Sequence, residues 1–184
     1  DRRVGLFEIA AKEKGTKLSV DSEGEVDGPS WPNGTHICEV EIDPDTGVTR
    51  VVKYTTVDDV GIAMNPMLVA GQVHGGVAQG IGQALVEGVS YDAEGQLLTA
   101  TFQDYCIPRA DDIPSIEVTL DESAPCRTNP LGAKGCGESG AIGGPPCVTN
   151  GVMDALSDLG ITTLNTPLTP MKLWQAIRDA TAQK

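Results

Sequence analysis

The pattern of apolar and polar positions predicts strands first. Residues 35–42 alternate between apolar and polar side chains, which is typical of a half-buried strand. Residues 48–57 follow after the turn sequence Asp-Pro-Asp-Thr-Gly, so the two stretches predict a β-hairpin. Residues 116–120 alternate in the same way, and the stretches 89–92 and 96–99 flank an Ala-Glu-Gly turn. The pattern therefore predicts one more strand and a second strand–turn–strand unit.

Other stretches have the spacing of amphipathic helices. Residues 4–12 predict a short first helix that Gly15 would end. Asn65-Pro66 is a good helix start, because Asn caps a helix and Pro suits its first position. We expect that helix to end at Gly88, and its apolar stripe recurs every four residues at Val69, Val73, Val77, Ile81 and Leu85.

The C-terminal third of the chain predicts two more helices. We expect one to begin at Pro145-Pro146 and to end at Gly160, where glycine would favour a left-handed cap. Thr169-Pro170 would open the last helix. The buried face of that helix is predicted to consist of Leu173, Trp174 and Ile177.

The long helix after Asn65 contains five glycines, and each interior glycine costs about 0.5–1 kcal/mol relative to alanine. Two interpretations explain this cost. Either a neighbouring helix packs directly against the backbone, or a polar ligand does so. The same helix carries Gln72, His74, Gln79 and Gln83, which can hydrogen-bond a ligand. We therefore favour the ligand.

Together these elements predict an α+β fold, with antiparallel strands packed against three or four helices. Residues 1–34 would form an N-terminal helix and a mobile connection rich in Gly, Pro and Ser. Residues 35–184 would form the main domain. Because the chain begins with Asp1 and not with Met, we expect either a fragment of a longer protein or a processed piece.

Composition excludes several classes of partner. The formal net charge of −13 argues against nucleic acid and anionic membranes. No stretch approaches the roughly 20 apolar residues of a membrane span. The five cysteines include no CxxC pair, so they predict reduced thiols in a cytoplasmic protein and no zinc site. The two histidines, His36 and His74, lack companions at metal-ligand spacing and predict ordinary hydrogen-bonded side chains.

Residues 130–146 form a stretch rich in glycine and proline, with one acid, Glu138, and one base, Lys134. A fixed carboxylate among backbone amides is a candidate general base. The competing interpretation is a surface turn with an exposed glutamate. Residues 135–140 also spell GxGxxG, but no buried strand precedes them and an acid would face the pyrophosphate. We therefore reject dinucleotide binding.

Three motifs together resemble a known family. They are GQVHGGVAQGIGQAL at residues 71–85, DYCIP at residues 104–108 and GAKGCGE at residues 132–138. In this order and spacing they resemble the molybdenum-binding subunit of the molybdenum hydroxylases, which include xanthine dehydrogenase, aldehyde oxidoreductase and the large subunit of carbon monoxide dehydrogenase. The resemblance runs from about residue 35 to about residue 178 and matches the C-terminal end of that subunit.

The resemblance implies a C-terminal molybdopterin-binding domain. Glu138 would be the catalytic glutamate, which takes a proton during oxidative hydroxylation with water as oxygen source. The cofactor is molybdopterin or its cytosine dinucleotide form, and the family binds the metal through no protein side chain. Cofactor contacts would come from Gln72, Lys134, Gly135, Cys136 and Gly137.

The resemblance also implies partners. Iron–sulfur clusters and FAD would lie on other domains or subunits, and the rest of the molybdenum subunit would complete the site. The substrate could be an aldehyde, an N-heterocycle or carbon monoxide, and the chain would be inactive alone. Two alternatives remain open, a small module that binds the cofactor without chemistry and a structural subunit with a degenerate site.

Overall fold

The computed structural model describes residues 3–12, 21 and 23–182. Within these residues the fold is α+β, and its four α-helices agree with the predicted three or four. A short 3₁₀ turn, Ser157–Leu159, follows the third helix. The elements in chain order are α1 (Leu6–Lys12), β1 (Asn33–Ile42), β2 (Thr49–Asp59), α2 (Pro66–Leu85), β3 (Ile116–Leu120), α3 (Ser139–Ala155) and α4 (Pro170–Ala182).

The three strands form one sheet in the order β1-β2-β3, with β2 in the centre. The predicted hairpin is confirmed, because β1 and β2 pair antiparallel. The prediction of antiparallel strands holds for β1 and β2 but not for β3, which runs parallel to β2. Alternation of apolar and polar residues fixes which face of a strand is buried, but it carries no information about the direction of its neighbour. Parallel pairing needs a crossover connection, and the chain between β2 and β3 contains α2.

Helices α2 and α3 pack against each other, and α3 also covers β1. The predicted apolar stripe of α2 is confirmed, since every one of its five members is buried. The last helix buries Leu173 and Ile177 as predicted, whereas Trp174 is only half-buried. One hydrophobic core joins the sheet to α2, α3 and α4 and to the segment just before α4. It includes Val51, Tyr54, Val73, Val77, Ile81, Val148, Val152, Leu168, Leu173 and Ile177.

Two glycines of α2 lie directly against the backbone of α3. A Cβ atom on Gly76 would lie 2.7 Å from the nitrogen of Ala141, and one on Gly80 would lie 2.8 Å from the Cα of Gly144. Gly140 of α3 meets α2 in the same way, 2.8 Å from the nitrogen of Val77. Real Cβ atoms do not approach backbone this closely. Helix–helix contact, the interpretation that we did not favour, therefore explains these glycines.

Helix α3 begins at Ser139, six residues before the predicted start, and Pro145 and Pro146 lie inside it. A proline inside a helix costs about 3 kcal/mol, because it removes one hydrogen bond and crowds the preceding turn. Local propensity therefore favoured a start at the prolines. The close contact of Gly140 and Gly144 with α2 stabilises the earlier turns and overrides that preference.

Smaller differences affect element ends. Helix α2 ends at Leu85 and not at Gly88. The predicted strands around residues 89–99 reduce to one isolated bridge between Tyr91 and Leu97. Gly160 takes the predicted left-handed conformation, with φ of 78°, after the 3₁₀ turn. The expected stop of the first helix at Gly15 lies outside the described residues.

Candidate functional site

The loop before α3 is fixed to the end of β2 by backbone hydrogen bonds. The amide of Lys134 donates to the carbonyl of Val60 at 2.7 Å, and the amide of Ile62 donates to the carbonyl of Gly132 at 2.9 Å. Gly61 has a positive φ of 63°, and a side chain there would collide with the Gly132 carbonyl. Glycine is therefore required at Gly61 for both conformation and space. These backbone hydrogen bonds fix the start of the loop segment that leads to Glu138.

Lys134 forms an ion pair with Asp59, the last residue of β2. Its ammonium group and the Asp59 carboxylate are both largely shielded, with side-chain exposures of 11% and 16%. The hydrogen bond from Lys134 lowers the pKa of the Asp59 carboxyl, and the amide of Gly61 assists by donating to the same group. Lys134 was predicted to contact the cofactor, but its charged group is paired with Asp59 of the hairpin.

This ion pair predicts a pH-dependent contribution to stability. The folded pKa of Asp59 lies below its unfolded value of about 3.9, so its contribution is present above that value and is lost as pH falls through the folded pKa. We expect Asp59→Asn, which keeps an oxygen for the Gly61 amide, to lower the thermal midpoint at pH 7. The difference from wild type should shrink as pH falls below about 4. A difference that stays constant down to pH 2.5 would contradict the assignment.

Gln72 joins helix α2 to the loop. Its Nε2 donates to the carbonyl of Gly137 at 2.7 Å, one residue before Glu138. The structure therefore brings together two of the predicted motifs that lie 65 residues apart in the chain. Gly135 and Gly137 are exposed, and Cys136 between them is half-buried.

Glu138 occupies the N-cap position of α3. Its carbonyl accepts the first helical hydrogen bond, from the Ile142 amide at 2.8 Å. Its side chain caps no backbone amide and is exposed. The partial positive charge at the start of a helix favours a carboxylate there. The arrangement presents an acceptor for a proton on a backbone that the helix holds in place.

Four glycines near these residues have open space where a side chain would be. A Cβ atom on Gly71, Gly75, Gly135 or Gly137 would meet nothing within 4 Å. Unlike Gly76 and its packed neighbours, they have no contact within the described chain that excludes a side chain. Because glycine has no side chain, a ligand can approach the backbone of α2 and of the loop closely at these four positions.

A buried polar cluster lies beneath the first turn of α3. It is formed by inward-facing residues of β2 and by His36 of β1, for which the sequence predicted only ordinary hydrogen bonding. Its ring makes one such contact, with the Tyr54 hydroxyl at 2.8 Å, and its Nε2 lies 3.5 Å from Oδ1 of Asp58. His74 is also hydrogen-bonded, to the carbonyl of Ile116. Asp58 was missed, because the predicted strand ended at residue 57, whereas β2 continues to Asp59 and buries the Asp58 side chain.

No group of three or more His, Cys, Asp or Glu side chains in residues 3–12 and 23–182 is arranged to hold a metal ion. No helix among the same residues is both long and apolar enough to cross a membrane.

Comparison with known proteins identifies the family. Residues 5–114 match the model of the molybdopterin cofactor-binding domain. This match covers more than half of the chain and includes Gln72, whereas Lys134 to Glu138 lie beyond it.

Individual relatives match a larger share of the chain. The nicotine 6-hydroxylase large subunit of Paenarthrobacter nicotinovorans is 43% identical over 150 residues, 82% of this chain and 18% of that protein. The carbon monoxide dehydrogenase large chain of Hydrogenophaga pseudoflava is 37% identical over 150 residues, 82% of this chain and 19% of that protein. The solved structure of quinoline 2-oxidoreductase from Pseudomonas putida 86 superposes with a TM-score of 0.78 at 44% identity, covering 80% of this chain and 19% of that one.

The chain thus spans about a fifth of the length of these proteins. The matches confirm the resemblance that the three sequence motifs indicated. The chain therefore belongs to the molybdopterin cofactor-binding domain family of the molybdenum hydroxylases.

Proposed function

We propose that this chain is the C-terminal portion of the catalytic subunit of a molybdenum hydroxylase. Within the complete enzyme it contributes contacts to the cofactor and the catalytic glutamate for oxidative hydroxylation, with water as oxygen source. The observation that carries the proposal is the hydrogen bond from Gln72 to Gly137, which places the glutamine of α2 beside the segment that ends at Glu138.

The residues fit a pterin cofactor. The open glycines of α2 and of the loop, Gly71, Gly75, Gly135 and Gly137, leave a backbone surface that side chains would block. Gln72 and the exposed backbone of the loop supply hydrogen-bonding groups suited to the polar edges of a pterin. Lys134 contributes through its backbone and through the ion pair that fixes the loop. When bound, the cofactor supplies the redox chemistry, accepting two electrons from the substrate.

Within this scheme Glu138 is the general base. Its exposed carboxylate takes a proton as oxygen is transferred to an electron-poor carbon of the substrate. The neighbouring loop contains no second acid that would compete for this role. The start of α3 holds the backbone of Glu138, so a proton acceptor is presented in a defined place.

The complete protein would include more than this chain. We propose that the rest of the molybdenum subunit completes the cleft and that iron–sulfur clusters and FAD on other domains or subunits carry the electrons away. The cofactor is molybdopterin, in the plain or cytosine dinucleotide form, and the substrate is an aldehyde, an N-heterocycle or carbon monoxide. All five cysteines are unpaired thiols, which supports a reducing, cytoplasmic location. The isolated chain would lack activity.

The proposal predicts that Gln72→Leu lowers cofactor retention in the complete enzyme. Loss of one hydrogen bond, about 0.5–1.5 kcal/mol, corresponds to a roughly 2- to 13-fold weaker affinity. Molybdenum per protein, measured by elemental analysis after extended dialysis, should fall together with turnover. Gln83→Leu is the matched control, because Gln83 is exposed on the same helix about three turns further on. Equal metal content in the two variants would overturn the role of Gln72.

A further inference from the structure

We propose that the buried pair His36–Asp58 positions Glu138, by fixing the first turn of α3 from beneath. The proposal rests on the proposed catalytic role of Glu138 and adds residues that neither the motifs nor the family match assign. His36 and Asp58 touch neither substrate nor cofactor in this scheme. They are positioning residues.

The pair belongs to a continuous chain of polar contacts on the buried side of the hairpin. Tyr54, Thr56 and Asp58 alternate along β2 and all face inward, each no more than 1% exposed. His36 pairs with Thr56 across the two strands, so its ring spans the residues on either side. Nδ1 of His36 lies 2.8 Å from the Tyr54 hydroxyl, and Nε2 lies 3.5 Å from Oδ1 of Asp58.

Asp58 forms one end of the cluster, and Tyr54 at the other end lies opposite Cys38. The hydroxyl of Thr56 donates to Oδ2 of Asp58 at 2.6 Å, so both carboxylate oxygens have partners. Burial raises the pKa of the Tyr54 hydroxyl, which keeps it protonated and able to donate to His36. Such a network adds little net stability over an apolar core, but each polar group accepts only a few arrangements. It therefore defines the orientation of the His36 ring.

Helix α3 rests on that ring. A Cβ atom on Gly143 would lie 2.6 Å from Cε1 and from Nδ1 of His36, so the helix backbone lies directly on the imidazole. Between the helix and the hairpin is a cavity of about 120 Å³, lined in part by His36, Asp58 and Ser139. The hydroxyl of Ser139 is buried there and has no hydrogen-bond partner in the described chain. The polar surface of the cluster thus reaches the residue after Glu138.

The N-terminal turns of α3 are held from two sides. On one side Gly140 lies against the backbone of α2. A Cβ atom added to Gly140 would lie 2.8 Å from the Val77 nitrogen. On the other side Gly143 lies on His36. The carbonyl of Glu138 accepts from the amide of Ile142, so the position of this turn determines the position of the Glu138 backbone. A misplacement of about 1 Å at a catalytic group can cost up to 10²-fold in rate.

The test uses the complete enzyme with two variants of the cluster. His36→Gln keeps an amide for Asp58 but removes the ring beneath Gly143. Tyr54→Phe removes one hydroxyl and keeps the packing, so it carries the measurement if His36→Gln does not fold. We expect kcat to fall roughly tenfold in the first variant and about threefold in the second, with KM and molybdenum content within about twofold of wild type.

Val152→Ala is the matched control for simple loosening. Val152 is buried in the C-terminal half of α3. This change should lower the thermal midpoint while leaving kcat within about twofold, because Val152 lies about four turns along the helix from Glu138. If kcat falls in proportion to thermal midpoint in both Val152→Ala and His36→Gln, the cluster has only a structural role and the proposal is wrong.

A double-mutant cycle with Glu138→Gln separates positioning from any independent effect. If His36 acts through Glu138, His36→Gln should change the residual kcat of the Glu138→Gln enzyme by less than about twofold. A tenfold loss in both backgrounds would overturn positioning while leaving the proposed function intact. Near wild-type turnover in Glu138→Gln alone would instead overturn the proposed function, so the two failures are distinguishable.

Discussion

Glu138→Gln in the complete enzyme should lower turnover at least ~10²-fold while the cofactor stays bound. Glutamine has nearly the same shape, and the side chain of Glu138 caps no amide of α3, so the substitution removes no capping hydrogen bond. What it removes is the ability to take up a proton. The measurements are steady-state kcat and molybdenum per protein for the variant and the wild type.

Glu94→Gln provides the control for this substitution. Glu94 is also exposed, but it lies in the turn between Tyr91 and Leu97, outside the proposed site. Removing its charge changes the net charge by the same amount and should leave turnover within about twofold. A Glu138→Gln enzyme with full metal content and near wild-type turnover would exclude the role of general base. That outcome would favour a module that binds cofactor without chemistry.

Periodicity in the sequence was sufficient for the parts of the fold that depend on a single element. The stripe from Val69 to Leu85 predicted both the existence of α2 and its buried face, because one helix face is enough to define it. Alternation predicted β1, β2 and β3 for the same reason. The direction of β3 depends on a partner strand far away in the chain, so no local pattern could supply it.

The start of α3 could not be predicted for a related reason. Its first turns are rich in glycine and are followed by two prolines, so local propensity places the helix start at Pro145. The stabilising contact is with Gly76 and Gly80 of α2, and it exists only once both helices are packed. The same contact reverses the preferred explanation for these glycines, from a ligand to a neighbouring helix.

The candidate site, like the fold, could be predicted from the sequence only in part. Gln72 and Glu138 could be singled out through family motifs, but their proximity depends on the hydrogen bond from Gln72 to Gly137. The buried cluster was hidden, because a histidine in an alternating strand is usually an ordinary hydrogen-bonded residue. Its assignment needed the register that sets His36 opposite Thr56, between Tyr54 and Asp58.

Adjacent glycines of α2 should respond to alanine in opposite directions. Gly76→Ala places a methyl group 2.7 Å from the Ala141 nitrogen and 2.9 Å from the carbonyl carbon of Gly140, where backbone atoms cannot move aside. We expect it to lower the free energy of unfolding by about 2–4 kcal/mol. Gly75→Ala meets nothing within 4 Å and should raise that free energy by about 0.5–1 kcal/mol, through helix propensity. Denaturant unfolding of both variants measures the difference.

Gly75→Ala and Gly76→Ala control for each other, because the gain in helix propensity is the same at both positions and only the contact with α3 differs. Equal stability of the two variants would contradict the close packing of α2 on α3. In the complete enzyme Gly75→Ala has a second use, since Gly75 belongs to the open backbone surface proposed to face the cofactor. There the variant should be more heat-stable without cofactor, yet retain several-fold less molybdenum after dialysis. Full retention would remove Gly75 from the cofactor surface, whereas loss with higher stability would show that this helix gives up stability to admit a ligand.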